Sequence, residues 1–218
     1  MVKGLLFDLD GVIVDTAKYH YLAWKQLAQE LGIHFDEKDN ERLKGISRMA
    51  SFDIILSLDN RTMSQERKEA CCKKKNDIYV DYIHKLQQEE ILPGVKEFIK
   101  DAKAKGYKTA LGSASRNAEL ILKRLDITEL FDKIIDGTKV EKAKPDPEVF
   151  LKGAQELGIQ PESCIVFEDS VAGIKAAHNG GMKAVGIGEE DNLAEADLVI
   201  PGFGHIDIDA LINSIESR

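Results

Sequence analysis

Two pairs of acidic residues follow short apolar runs in this 218-residue sequence. Asp8 and Asp10 form the first pair, and the two-residue period of a strand would point both carboxylates to the same side. Glu168 and Asp169 form the second pair. Carboxylates that lie close together repel each other unless a cation lies between them or one of them takes a proton. Because Mg²⁺ prefers hard oxygen ligands and often contacts a phosphate, the four acids predict a magnesium site at which a phosphate could bind.

A hydroxyl and a lysine follow two further segments. Ser113 ends the apolar run 109–112 just before a helical pattern, where hydroxyls, backbone amides and a helix N-terminus can bind an anion. Lys144 precedes Pro145, which restricts it to an extended backbone and would fix its positive charge near a phosphoryl oxygen. Simpler interpretations exist, since Ser113 and Ser170 could each cap a helix and Lys144 could be a solvated surface lysine.

The elements that must position these side chains are short apolar runs bounded by Gly, Asp or Pro, which are typical of strands buried on both faces. The predicted strands are 4–7, 109–112, 134–135, 164–167, 184–187 and 198–200. Amphipathic segments alternate with the later runs, at 95–105, 117–125, 147–157 and 171–179. This alternation predicts an α/β fold, a Rossmann-like parallel sheet covered by helices, whose ligand sites lie at the carboxyl ends of the strands.

Residues 15–88 interrupt the alternation with long helical patterns and no convincing buried strand. Thr16, His20 and Trp24 recur there at helical spacing and would share one face. We therefore predict an inserted all-helical cap domain at 15–88 and a core domain made of 1–14 and 89–218.

The order of the four motifs, an Asp-x-Asp, a Ser, a Lys and a Glu-Asp pair, resembles that of the haloacid dehalogenase superfamily of phosphotransferases over nearly the whole chain. The resemblance implies that Asp8 is a nucleophile that forms an aspartyl phosphate, with Asp10 as general acid and base. Ser113 and Lys144 would hold the transferring phosphoryl group. The implied metal ligands are the Asp8 side chain, the Asp10 backbone carbonyl and Asp169, with Glu168 close by.

Within that superfamily, the cap segments resemble those of sugar-phosphate mutases, in a substrate loop at 45–51 and a polar patch at 75–79. Thr16 and His20 would join Asp8, Asp10 and Lys144 as catalytic residues. The implied substrate- and phosphate-binding residues are Trp24, Gly45, Arg48, Ser51, Lys75, Ser113, Ala114, Ser115, Arg116 and Asn117. Without the resemblance, His20 would be interpreted as a packed or surface histidine and Arg48 as a surface charge. Arg116 stands where a lysine is usual, and it keeps the charge but adds a bidentate fork.

The implied activity is a mutase that interconverts β-D-glucose 1-phosphate and glucose 6-phosphate through β-glucose 1,6-bisphosphate. A second anion site at Arg48, Ser115, Arg116 and Asn117 would hold the phosphate that is not reacting. One alternative is a sugar-phosphate phosphatase of the same superfamily, with water as the final acceptor. Another is a non-catalytic receiver-like module that accepts a phosphate on an aspartate, against which the helical insert and Asp10 argue.

Composition limits the partners. The charges sum to −8, from 30 basic and 38 acidic residues, which disfavours nucleic acid. The longest stretch without Asp, Glu, Lys or Arg is 198–206, nine residues, whereas a membrane span needs about 20. Charges near the N-terminus argue against a signal peptide, and the three cysteines show no metal-binding spacing. We expect a cytoplasmic monomer that binds small sugar phosphates, without membrane or nucleic acid partners.

Overall fold

The computed structural model describes residues 1–43 and 46–217, in which six β-strands and nine α-helices occur. The strands are β1 (Gly4–Phe7), β2 (Lys108–Gly112), β3 (Lys133–Ile135), β4 (Cys164–Glu168), β5 (Lys183–Ile187) and β6 (Leu198–Ile200). The helices are α1 (Ala17–Glu30), α2 (Glu37–Glu41), α3 (Arg48–Ser57), α4 (Gln65–Ile83), α5 (Val95–Ala104), α6 (Ala118–Arg124), α7 (Glu148–Leu157), α8 (Val171–Asn179) and α9 (Ile208–Glu216). Short 3-10 turns lie at Gln88–Glu90, Thr128–Leu130, Pro161–Ser163 and Glu190–Asn192.

All six strands pair in parallel, in the order β3-β2-β1-β4-β5-β6. The predicted Rossmann-like parallel sheet is therefore confirmed. β1 lies between β2 and β4, and Phe7 is level with Leu111 on one side and with Phe167 on the other. The ends of these three strands, where the sequence places its polar motifs, consequently meet at one edge of the sheet.

Buried residues on both faces of the sheet hold β1 in its position relative to β4. On one face, Phe7 stacks on Phe167 with ring centroids 4.7 Å apart. On the other face, Leu6 and Val166 belong to a fully buried cluster with Phe150 of α7. Burying side chains of this size is the main stabilising contribution in such a core, at about 1.5–3 kcal/mol each. The strand ends are thereby held by packing that is independent of the polar groups.

The chain divides into two compact units. The sheet unit comprises Met1–Asp15 and Gln87–Arg218, and the helical unit comprises Thr16–Leu86. Over its described residues, the helical unit contains α1 to α4 and no strand, and its own core includes Trp24, Leu27 and Phe52. That 1–14 with 89–218 and 15–88 act as separate core and cap domains stays a prediction. Among the described helices, none is long and apolar enough to cross a membrane.

Candidate active site

Asp8 follows β1 directly, and its side chain is 10% exposed. Its backbone N–H donates to the carbonyl of Phe167 at 3.0 Å, which ties this residue to β4. The chain then turns at Gly11, whose φ is +79°. A Cβ atom at Gly11 would lie 2.0 Å from Oδ2 of Asp169. Glycine is therefore required at this position for two reasons: the positive φ, and the Asp169 carboxylate that lies against it.

The ammonium of Lys144 lies between two carboxylates. Its Nζ is 2.6 Å from Oδ1 of Asp8 and 2.6 Å from Oε1 of Glu168, and the lysine side chain is 9% exposed. The second oxygen of Glu168 accepts hydrogen bonds from the N–H of Ser170 at 2.7 Å and from its hydroxyl at 2.9 Å. Ser170 also caps α8, as its alternative interpretation predicted, because its Oγ accepts from the N–H of Gly173. Both oxygens of Glu168 thus have donors.

Gly173 makes the position of Glu168 possible. A Cβ atom on this α8 residue would lie 1.9 Å from Oε1 of Glu168, the oxygen that binds Lys144. Two heavy atoms that are not bonded cannot lie that close, so a larger residue would force the carboxylate away from the lysine.

Asp8, Glu168 and Asp169 form an acidic cluster in which each offers a carboxylate oxygen, all within 4.8 Å of one another. Asp10, which is half-buried, is not part of this group, and its predicted contribution through a backbone carbonyl stays a prediction. Oxygen donors with a net negative charge suit a hard divalent cation, so the residues present fit such a metal.

Burial, and then the repulsion of neighbouring acids, raises the pKa values of Asp8 and Asp169. Loss of hydration on burial raises the pKa of Asp8 to about 7, against the attraction of Lys144 and with added repulsion from Glu168 and Asp10. Loss of hydration and repulsion by Glu168 and Asp8 raise the pKa of Asp169 to about 8. Burial by itself would lower the pKa of Lys144, but the attraction of Asp8 and Glu168 raises it above its ordinary value. In the described part of the site, the Lys144 ammonium therefore lies between Asp8 and Glu168 and also attracts the nearby Asp169.

The serine loop (residues 113–117) follows β2. The Ser113 hydroxyl is buried and accepts from the N–H of Ser115 at 3.1 Å, and the Ser115 hydroxyl accepts from the N–H of Asn117 at 3.3 Å. Ala114 and Arg116 are exposed. Gly137, after β3, packs so closely on this loop that a Cβ atom there would lie 2.1 Å from the carbonyl oxygen of Ala114. The structure thus shows a compact loop of hydroxyls and amides one strand away from Asp8.

In the helical unit, Lys75 of α4 is 2% exposed and its Nζ lies 2.8 Å from Nδ1 of His20 on α1. The same Nζ lies 4.9 Å from the ring centroid of Trp24 and 4.7 Å from that of Tyr79. Loss of hydration, followed by the charges of Lys75 and Arg48, holds the pKa of His20 well below its ordinary value. Since the lysine donates to Nδ1, the neutral imidazole carries its proton on Nε2.

Arg48 begins α3, and α4 holds it at two points. Its Nη2 donates to Oδ1 of Asn76 at 2.8 Å, and its backbone carbonyl accepts from the thiol of Cys72 at 3.8 Å. Ser51 is buried one turn further along α3, and Thr16 is the buried N-cap of α1. The predicted binding residue Gly45 lies outside the described residues.

Sequence reasoning gave no individual role to two residues of these clusters, Tyr79 in the predicted polar patch at 75–79 and Gly173. Tyr79 packs against His20 with ring centroids 4.1 Å apart and the ring planes tilted, and its signal was its position four residues after Lys75 on a helix. Gly173 is a glycine inside a helical pattern, which points to a packing reason, but the sequence does not show what packs there.

A family model of haloacid dehalogenase-like hydrolases matches residues 2–181. The chain belongs to this family. Membership of this family, together with the acidic cluster of Asp8, Glu168 and Asp169, implies a divalent metal.

Similar proteins include mutases and phosphatases. The β-phosphoglucomutase of Bacillus subtilis is 44% identical over 202 residues, which cover 91% of this chain and 89% of that protein. A crystal structure of a β-phosphoglucomutase from Clostridium difficile is 42% identical, covers 100% of this chain and 98% of that chain, and has a TM-score of 0.93. A fructose-1-phosphate phosphatase of Escherichia coli is 33% identical over 184 residues, which cover 84% of this chain and 95% of that protein.

Metal binding should strengthen as the pH rises. Asp8 and Asp169 must lose their protons to bind a cation, and their pKa values of about 7 and about 8 place this competition near neutral pH. Folding raises the pKa values of both acids. They therefore lower the free energy of unfolding of the metal-free protein as the pH rises above their pKa values in the unfolded chain. A bound metal offsets this loss of stability. The rise in melting temperature on adding Mg²⁺ should therefore grow between about pH 6 and about pH 9. An equal rise at every pH would contradict this assignment.

The effect of Gly173→Ala on the free energy of unfolding should have opposite signs in the wild type and in a Glu168→Ala background. In the wild type it displaces Glu168 from Lys144 and should destabilise the fold by ~1.5–3 kcal/mol, the cost of one charge-assisted hydrogen bond. In a Glu168→Ala background the obstacle is absent, and the higher helix propensity of alanine should stabilise by about 1 kcal/mol. Urea unfolding of the four proteins measures both changes.

Gly153→Ala on α7 is the matched control, since a Cβ atom there would lie 2.8 Å from Cδ2 of Leu6, away from the acids. It should have the same effect in both backgrounds. A Gly173→Ala effect that is also equal in both backgrounds would show that Glu168 is not what requires the glycine.

Proposed function

We propose that this chain is a phosphotransferase that interconverts β-D-glucose 1-phosphate and glucose 6-phosphate through β-glucose 1,6-bisphosphate and an aspartyl phosphate on Asp8. Likeness to β-phosphoglucomutases over nearly the whole chain supports the mutase, whereas the phosphatases are more distant relatives. The observation that carries the chemistry is the buried contact of Asp8 with Lys144 at the end of the central strand.

Asp8 attacks the phosphorus atom in line, so that a bond forms from its carboxylate oxygen and the bond to the leaving oxygen breaks. Lys144 stays charged beside the nucleophile and stabilises the negative oxygens of the group in transfer. Glu168 holds Lys144 in that position through the 2.6 Å contact. Asp8, the Asp10 carbonyl and Asp169, with Glu168 close by, would hold a Mg²⁺ ion, which would supply the further positive charge that phosphoryl oxygens require.

Asp10 donates a proton to the leaving oxygen and removes one from the next attacking hydroxyl. Its half-buried side chain belongs to the turn that follows β1, two residues after the nucleophile. Thr16 and His20, at the start of α1, are the remaining proposed catalytic residues. The neutral His20, with its proton on Nε2, can donate a hydrogen bond to a sugar hydroxyl or to a carboxylate.

A mutase needs a second anion site, because its bisphosphate must present either end to Asp8. Arg48 and Lys75 supply positive charge in the helical unit, where Arg48 donates to Asn76 and the Lys75 ammonium lies beside His20. We assign the non-reacting phosphate to Arg48 with Ser115, Arg116 and Asn117, and the reacting one to Ser113 and Lys144. Trp24, Gly45, Ser51, Lys75 and Ala114 complete the proposed substrate contacts.

A sugar-phosphate phosphatase is the second candidate, favoured by the likeness to the fructose-1-phosphate phosphatase of Escherichia coli. It would use the same Asp8, Asp10 and Lys144, with water in place of the second sugar hydroxyl. We further propose that the enzyme acts as a cytoplasmic monomer on small sugar phosphates.

Asp8→Asn should abolish phosphoryl transfer and leave the fold intact, because the amide is nearly isosteric but a poor nucleophile. The matched control is Asp136→Asn, since Asp136 is also buried and follows β3 directly, where its Oδ1 accepts from the N–H of Thr138. That variant should keep its activity. Mutase turnover by Asp8→Asn above contamination would exclude Asp8 as the nucleophile.

Arg48→Ala tests the proposed site of the non-reacting phosphate independently of the site of the reacting phosphate. Loss of one charge-assisted contact to the bisphosphate removes ~1.5–3 kcal/mol of binding, so mutase turnover should fall. Phosphorylation of Asp8 by acetyl phosphate, which carries a single phosphoryl group, should stay near the wild-type rate. Lys144→Ala should slow both reactions, because the lysine acts on the group in transfer.

The matched control in the helical unit is Arg67→Ala, an exposed arginine on α4, which should change neither reaction. Unchanged mutase kinetics in Arg48→Ala, or equal losses in both reactions, would remove Arg48 as the second clamp.

A further inference from the structure

The lysine loop (residues 136–147) connects β3 to α7 and carries Lys144, which must reach Asp8 across the end of the sheet. Glu148, the first residue of α7, holds this loop by its backbone. Its Oε2 accepts from the N–H of Glu141 at 2.9 Å and from the N–H of Lys142 at 2.8 Å. One carboxylate oxygen thus fixes two consecutive peptide groups, the nearer of them two residues before Lys144.

A second side chain of α7 reinforces this contact. Lys152, one turn after Glu148, places its Nζ 2.5 Å from Oε1 of Glu148 and 2.6 Å from the carbonyl oxygen of Lys139. The other end of the loop is held at Pro145, whose carbonyl accepts from Nδ2 of Asn179 at 3.0 Å. The loop is therefore attached to regular helices on both sides of Lys144.

Glu148 keeps its charge over the whole working range of pH. The hydrogen bond from Lys152, followed by that from the backbone of Lys142, lowers the pKa of Glu148 to about 2. A half-buried ion pair four residues apart on a helix adds little to helix stability, so the Glu148–Lys152 pair matters more for the loop than for α7.

We propose that Glu148 is a positioning residue for Lys144, which it places by holding the backbone of the lysine loop. Glu148 does not touch the acidic cluster through any described contact and acts through the chain that leads to Lys144. We rely on the proposed function in one respect, that Lys144 serves the transferring phosphoryl group. Displacement of such a group by about 1 Å can slow a reaction by about 100-fold.

The test compares Glu148→Ala with Glu148→Gln in the full-length protein. With Mg²⁺ saturating, Glu148→Ala should slow the phosphorylation of Asp8 by acetyl phosphate by roughly 10- to 100-fold. Glu148→Gln should recover most of this rate, because its amide oxygen can still accept from the two N–H groups. Glu156→Ala, which removes another α7 glutamate that pairs with Lys133, is the matched control and should leave the rate unchanged.

Two further measurements separate positioning from a general loss of structure. In a Lys144→Ala background, Glu148→Ala should have no additional effect on the rate, because it acts through the lysine. Without any turnover, NMR of protein labelled with ¹⁵N at the lysine side chains should show a displaced Lys144 ammonium signal in Glu148→Ala and a near-wild-type signal in Glu148→Gln.

The proposal is overturned if Glu148→Ala phosphorylates Asp8 at the wild-type rate with an unchanged Lys144 signal. It is also overturned if Glu148→Gln is as slow as Glu148→Ala, or if Glu148→Ala slows Lys144→Ala and the wild type by the same factor. A wild type that phosphorylates Asp8 but releases phosphate from sugar phosphates would refute the mutase and leave this test of Glu148 intact.

Discussion

The buried ammonium of Lys144 between Asp8 and Glu168 is the interaction on which the site depends. Removing charges from water is costly, and the Coulomb attraction of a buried pair repays that cost only when geometry is good and the remaining polar atoms have partners. Glu168 meets this condition through the two donors of Ser170. Because the site holds more carboxylates than this lysine can neutralise, it also favours a divalent cation, whose charge offsets the excess.

Neighbouring elements are shaped around that interaction. The sheet order places β1 between β2 and β4, so the nucleophile lies beside both the serine loop and the acidic pair. Glycines leave the volume that the acids occupy, Gly11 beside Asp169 and Gly173 beside Glu168. The positions of these carboxylates are therefore set by the absence of side chains as much as by attraction to Lys144.

The fold could be predicted from the sequence because strands buried on both faces form short apolar runs, and all six runs proved to be strands. The convergence of Asp8, Ser113 and Glu168 followed from the rule that parallel strands end at one edge. The pairing of Lys75 with His20 and the contact of Glu148 with its loop could not be predicted, since each joins residues brought together by packing or by loop geometry. The roles assigned to individual residues stay predictions.

The most direct test of the proposed mutase is phosphorus NMR of the protein with Mg²⁺, β-D-glucose 1-phosphate and a trace of β-glucose 1,6-bisphosphate. Transfer through Asp8, with the sugar bisphosphate turning between two anion sites, predicts that the glucose 6-phosphate signal grows as the substrate signal falls. The inorganic phosphate signal should stay at the level of a sample without enzyme. Inorganic phosphate that appears in step with the loss of substrate would contradict the mutase and establish a phosphatase.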